Sequence, residues 1–320
     1  MIRTIVAATT AALLAFSSQG PASAEGPTEV PETIEWAITS DGSEGDERIQ
    51  LTLSYRSRGG HSQWSNGINP DELQGFDPAQ LAIRADRPVR FRIVRDAGRF
   101  DCEGIARRQG GSGECRFEHD PAFAAELERR GIGRPTRAES FGLALARVGL
   151  ELVDSLDRHH YSRPTVGDLV RSGIHGVTAT YVDEMTRAGW PDGALDGLVE
   201  MRIHGVSAPY VRALAEAGYR PDAAMVRQLA IHGVTTDFIR EMGDLGYRRL
   251  TAEELVTLRI HGVSAQFVRA LAELGYEGLS ADQLRSMRIH GVTAEYVRAK
   301  LRPDFRPTPE ELVSLRIRGT

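Results

Sequence analysis

Along the chain, apolar positions keep two different periods, and the change between them divides the protein. In residues 33–118 they alternate with polar ones, at Ile34, Trp36 and Ile38, at Ile49, Leu51, Leu53 and Tyr55, and at Val89, Phe91 and Ile93. A period of two predicts strands with one face in a core and one in water. Between the second and third runs, SNGINPDELQGFDP reads as a loop with at most a short helix. From about Asp120 the spacing becomes helical. The pattern therefore predicts an α+β chain, with a β-rich domain over residues 25–118 and an α-helical tandem-repeat, solenoid-like array over residues 119–320.

One phrase writes the array. RIHGVSAQFVRALAELGY, residues 259–276, has variants on both sides, and the pairs His175-Gly176, His204-Gly205, His232-Gly233, His261-Gly262 and His290-Gly291 stand 28 or 29 residues apart. A sixth copy reads Arg318-Gly319, and a worn one lies upstream with Ala146 in the histidine's place. A fixed period in this range marks stacked units that cannot bury their apolar faces alone.

Each copy predicts two short helices. Six residues before the histidine stands Leu169, Leu198, Val226, Leu255, Leu284 or Leu312, and one before it Ile174, Ile203, Ile231, Ile260, Ile289 or Ile317; both columns are read as core of the first helix. Thr251 with Glu254, Ser280 with Gln283 and Thr308 with Glu311 match capping boxes at its start. After the glycine, Thr178, Ser207, Thr235, Ser264 and Thr293 cap a second helix. That helix carries an aromatic column (Tyr181, Tyr210, Phe238, Phe267, Tyr296) and a Met or Leu column (Met185, Leu214, Met242, Leu271). It stops at Gly189, Gly218, Gly246 or Gly275, each followed by an aromatic residue, as a left-handed helix end with a packing contact requires. The last copy puts Lys300, Pro303 and Asp304 at core and stop positions, and reads as a terminal cap.

The first 24 residues add a location. Arg3, an apolar run from Ile5 to Phe16 and the small residues Ala22, Ser23 and Ala24 make a secretory signal peptide over residues 1–24. No later run approaches the roughly 20 apolar residues of a membrane span, so the mature chain is expected to be secreted or periplasmic without an integral membrane segment. There Cys102 and Cys115, on strand-like runs either side of a Gly/Ser-rich turn, are expected to form a disulfide, with GGSGE at 110–114 as a flexible hairpin tip.

Candidate chemistry is sparse. The net charge of −5 argues against a surface devoted to nucleic acid or anionic lipid, and residues 161–320 sum to about zero. The repeat histidine stands where its imidazole meets carbonyls left over at a helix end and, when protonated, the negative end of the dipole. Five like-placed histidines charging together near pH 6 would alternatively make a pH sensor. No metal site is expected, since equivalent histidines on helices about 8–10 Å apart cannot share an ion bound at about 2.0 Å. Arg212, Arg240, Arg269 and Arg298, eight residues past the histidine with Asp183 in the first copy, fall opposite the apolar columns and are candidate binding residues. No G-x-S-x-G, phosphate loop or cofactor motif occurs, and His159-His160 beside Asp157 reads as a polar linker. The chain is expected not to be an enzyme and to need no cofactor; the alternative is a hydrolase whose acid and base pair only in the fold.

Two resemblances follow from these residues. At IHGVSAQFVRAL the spacing hydrophobic-x-Gly-hydrophobic resembles the helix-hairpin-helix family, which holds a nucleic-acid phosphate on a Gly-x-Gly hairpin. Here Ser264, like Thr178, Ser207, Thr235 and Thr293, replaces the second glycine, which argues against a nucleic-acid partner. RIHGV[ST]xx[YF]VR together with DAGRFDCEG and GECRFEHDPAFAAEL resembles bacterial envelope proteins with tandem helical repeats, repeats also found attached to membrane metallopeptidases of the β-lactam-sensor type. The likeness covers most of residues 85–320, but the chain has no H-E-x-x-H, so no peptidase activity carries over. What it implies is a scaffold or an accessory to an envelope sensor, with an envelope or secreted protein as partner.

Overall fold

The computed structural model describes residues 27, 29–39, 49–57, 60–190, 193–220 and 222–319; the expected signal peptide at 1–24 lies outside them. Seven antiparallel strands come first: β1 (Ile34–Thr39), β2 (Ile49–Ser57), β3 (Gly60–Ile68), β4 (Leu73–Gln74), β5 (Arg87–Arg95), β6 (Gly98–Arg107) and β7 (Gly110–His119). Their order in the sheet is β3-β2-β1-β7-β6-β5-β4, so β1 lies between β2 and β7. Ile34, Trp36, Ile38, Leu51, Leu53, Val89, Phe91, Ile93, Phe100, Cys102, Cys115 and Phe117 are all buried, and the pairing register sets them on one face. The alternation read in the sequence is this face.

Three features depart from the sequence reading. GHSQWSNGI is strand β3, whose mostly exposed residues leave no alternation to read. SNGINPDELQGFDP therefore begins inside a strand, then makes a 3₁₀ turn at Pro70–Glu72 and the short β4. GGSGE is not a hairpin tip: Gly110–Glu114 pair with β1 on one side and β6 on the other. Close approach of β6 and β7 and the Trp36 ring together are the reason. A Cβ on Gly104 or Gly113 would lie 2.3 Å from the Ser112 carbonyl or 2.1 Å from the Glu103 carbonyl, and 2.6 or 2.7 Å from the Trp36 indole, whose Nε1 donates to the Glu103 carbonyl at 3.0 Å. Cys102 and Cys115 stand opposite each other on β6 and β7 and are joined as a disulfide.

Helices fill the rest of the described chain. After α1 (Pro121–Arg129), the first helices of successive copies are α2 (Arg137–Leu145), α4 (Val166–Ile174), α6 (Leu195–Ile203), α8 (Ala223–Ile231), α10 (Ala252–Ile260), α12 (Ala281–Ile289) and α14 (Pro309–Arg318). The second helices are α3 (Leu150–Arg158), α5 (Ala179–Arg187), α7 (Ala208–Glu216), α9 (Thr236–Asp244), α11 (Ala265–Glu273) and α13 (Ala294–Lys300). First helices pack on first helices and second on second, giving two layers that advance one copy at a time. Between the layers lie Leu169, Leu198, Val226, Leu255, Leu284 and Leu312, all buried, with Met185, Leu214, Met242 and Leu271 opposite them. The isoleucine column is different. Ile174, Ile203, Ile231, Ile260, Ile289 and Ile317 are 41 to 64 % exposed, because each stands at the end of a first helix, the last residue in five and the last but one in α14, beside the turn rather than between the layers.

The worn copy is α2 and α3, and it joins the array to the sheet. Phe141 of α2, fully buried, meets Tyr55, Phe100 and Phe117 at ring separations of 5.2, 6.0 and 5.3 Å. Gly149 offers α3 no side-chain cap, and Asp96 from the β5–β6 turn accepts the Leu150 N–H instead, at 2.8 Å. Burial works against the charge of Glu72, but Arg147 and Arg95 outweigh it and hold the carboxyl below its ordinary range.

Candidate functional site

The repeated His-Gly-Val is a helix stop of one geometry. Each histidine is the last helical-like residue, with φ between −91° and −87°, and each following glycine is left-handed, with φ between +66° and +72°. The glycine N–H bonds the carbonyl three residues back, and the valine N–H the carbonyl five back, at 2.8 to 3.1 Å in every copy. This is a Schellman stop, in which backbone donors take up carbonyls the helix end leaves over. The His232 ring bonds the Gln228 side chain at 3.1 Å. Ser or Thr then caps the second helix, accepting the N–H three residues on in all five copies. In the worn copy Ala146 and Arg147 take the places of His and Gly, Arg147 at φ +59°, and the Val148 N–H closes the same bond to Leu143.

A column the sequence reading passed over ties copies together. Arg202, Arg259, Arg288 and Arg316 stand two residues before the histidine or its equivalent and lie 4.8 to 5.1 Å over Tyr181, Phe238, Phe267 and Tyr296 of the preceding copy. Arg202 and Arg259 also donate through Nε to the carbonyls of Gly176 and Gly233, at 3.0 Å each. The guanidinium thus satisfies a turn carbonyl and stacks on a ring at once. Its signal was the R of RIHGV. Gly173 holds that place in the first copy, where a Cβ would come within 2.3 Å of Val148. Where the ring is tyrosine, its hydroxyl reaches further: Tyr181 donates to Val206 O at 2.9 Å and Tyr210 to Val234 O at 2.7 Å. Burial pushes both phenols up to about 12, so they remain donors at any ordinary pH.

Of the candidate binding residues, Arg212, Arg240, Arg269 and Arg298 are all exposed on the outer side of α7, α9, α11 and α13. Acids stand among them: Arg240 pairs with Asp237 at 2.7 Å, and Arg298 helps lower the Glu295 carboxyl behind that group's own cap hydrogen bonds. Asp183, in the same column, faces the previous copy instead. It accepts from Ser155 and His159, the latter at 2.9 Å, with Arg158 at 3.2 Å. The Ser155 bond leads; partial burial opposes it, and His159 and Arg158 add to it, so the carboxyl sits below its ordinary value. Ser155 is fully buried and donates to the carboxylate rather than to the imidazole, an arrangement that locks α3 to α5 and offers no exposed nucleophile. His159 and His160 form the stop of α3, with His160 at φ +60° where other copies use glycine.

Among the described residues no three or more His, Cys, Asp or Glu side chains are grouped to hold a metal, and no helix is long and apolar enough to cross a membrane. No family model, curated protein or solved structure matches the chain.

Proposed function

We propose that this is an extracytoplasmic, non-catalytic binding or scaffold protein that works through the outer surface of its helical array. The observation that carries the reading is periodicity at the surface. Successive copies share a buried core, and four junctions add an Arg-aromatic clamp, so Arg212, Arg240, Arg269 and Arg298 repeat one side chain at a near-constant interval on a stiff frame. The disulfide suits an oxidising compartment. A second protein of the envelope, bound along the exposed Arg212, Arg240, Arg269 and Arg298 row, is the partner this surface suits.

Immobilised residues 25–320 should capture one envelope protein from detergent extract in stoichiometric amount, identified by mass spectrometry. Arg212→Glu with Arg269→Glu should cut that capture at least tenfold with an unchanged melting curve. Capture that is indifferent to both reversals removes the row from the contact, and turnover of a co-purified small molecule would replace the binder with an enzyme.

A further inference from the structure

A different surface of the array is more unusual than the arginine row. Of the ten large apolar side chains exposed among the described residues, six are Ile174, Ile203, Ile231, Ile260, Ile289 and Ile317. All six occupy one place, the end of a first helix beside the turn, so they line a single edge of the stack, one per copy. Isolated exposed apolar residues need no explanation, whereas a register-locked row of one branched residue does. Folding does not account for it, because the leucine, aromatic and Met/Leu columns already fill the interior.

The charge of this edge says what would cover it. Residues 161–320 carry 20 Arg and Lys against 20 Asp and Glu. The windows from four residues before each isoleucine to six after, cut at Gly319 in the last, hold eight of those basic residues and three of the acids, leaving twelve basic against seventeen acidic elsewhere. Three of those eight, Arg171, Arg227 and Arg285, pair with Asp168 and Asp196, with Glu200 and with Asp282, which leaves Arg202, Arg259, Arg288, Arg316 and Arg318 as the positive charge along the isoleucine edge. Arg202, Arg259, Arg288 and Arg316, beside the isoleucines, have aromatic neighbours and no carboxylate partner among the described residues. Two such edges repel each other, which argues against a second copy docking edge to edge. Nor is it built like a membrane edge: belts that sit in lipid headgroups display Trp and Tyr, whereas here the rings lie beneath the arginines and only isoleucine stands out.

Spacing completes the argument. Packed helices stand about 8–10 Å apart, so the isoleucines recur at about that interval. A polyproline II segment has three residues per turn and rises about 3.1 Å per residue, which brings side chains to one face every ~9 Å. A β-strand repeats a face at about 6.6 Å and falls out of step within two copies. We propose that the Ile174-to-Ile317 edge binds an extended acidic peptide segment, in the polyproline II conformation, with an apolar side chain at every third position and carboxylates facing the arginines.

This rests on the reading of the array as a binding surface but not on the arginine row of the second helices, and its test keeps the two apart. A displayed library of random 12-residue peptides is selected on disulfide-intact residues 25–320. Net-acidic sequences with apolar residues at i, i+3 and i+6 should be enriched, and a synthetic copy of one should lose at least tenfold in affinity for Ile203→Ser with Ile260→Ser while keeping it for Arg212→Glu with Arg269→Glu. Because these isoleucines are exposed, the serine variant should melt as the parent does. Enriched peptides without the three-residue period, or peptides that bind the serine variant equally well, overturn the proposal, as does failure to enrich any sequence. Sedimentation with vesicles of 30 mol% phosphatidylglycerol is the remaining arm: isoleucine-dependent binding there would assign the edge to membrane instead. Envelope-protein capture lost only in the glutamate variant would leave the array a binder and this edge without a role.

Discussion

At the scale of single residues, one backbone conformation explains most of the repeat. The glycine of His-Gly-Val needs φ near +70°, where an L side chain brings its Cβ against the following carbonyl. Gly205 isolates that effect, because an added Cβ there would meet nothing within 4 Å, whereas at Gly262 it would come within 3.3 Å of the Arg288 fork. Gly205→Ala should cost about 1–2 kcal/mol, and Gly205→Asn less, because asparagine tolerates the left-handed region. Urea midpoints of the three proteins check this; an alanine variant as stable as the parent would mean the turn relaxes away from the Schellman geometry. The histidine beside it has no comparable necessity in the backbone, since Ala146 ends α2 with the same hydrogen-bond pattern.

Among elements, the sequence announced those whose periodicity is strong. Leu255 and Leu284 repeat at the same place in each copy, and Ile34, Trp36 and Ile38 alternate cleanly, so the two layers and the central strands were legible. Strand β3 was not, because an exposed edge strand such as GHSQWSNGI has no buried face to betray it. Apolar character predicts burial for Ile260, but a helix's last residue has no turn beyond it to fix which way it faces, and this one is exposed. Arg259 was passed over because its role lies in the previous copy, on Phe238 and Gly233, and spacing within one copy cannot reveal a partner in another. Asp183 belongs to the same class of hidden junction, and it carries a pH signature. Its folded-state carboxyl titrates below the ordinary value of about 3.9, so its stabilisation is complete above that pH and disappears as pH falls through the folded value. Asp183→Asn should therefore lower stability by about 1 kcal/mol at pH 7 and by progressively less below about pH 4. Guanidinium titrations of both proteins at pH 5 and pH 3 read the difference; a gap that widens between those two would contradict the linkage.

For the whole molecule, the question is how far a local loss travels. One apolar core runs without a break from the sheet through α2 into the last copy, yet each first helix beyond α2 packs mainly on the first helices before and after it. Such a stack is close to one-dimensional, so its stability is a sum of unit and neighbour terms, while the sheet folds around long-range strand pairs and answers as one body. Phe141 sits where the two regimes meet. Phe141→Ala should cost about 3–5 kcal/mol and, because its ring touches Tyr55, Phe100 and Phe117 and its helix packs on α4, should speed amide exchange in β2, β6, β7, α2 and α4 together. Leu284→Ala removes a side chain just as buried, but five copies away, and should open α10 to α14 while β5 to β7 keep their protection. Hydrogen exchange read by mass spectrometry on both variants distinguishes this gradient from its alternative. Equal loosening of every segment in both would mean that sheet and array unfold as one cooperative unit, and the long edge and face offered to partners would then depend on the sheet as much as on the repeats that form them.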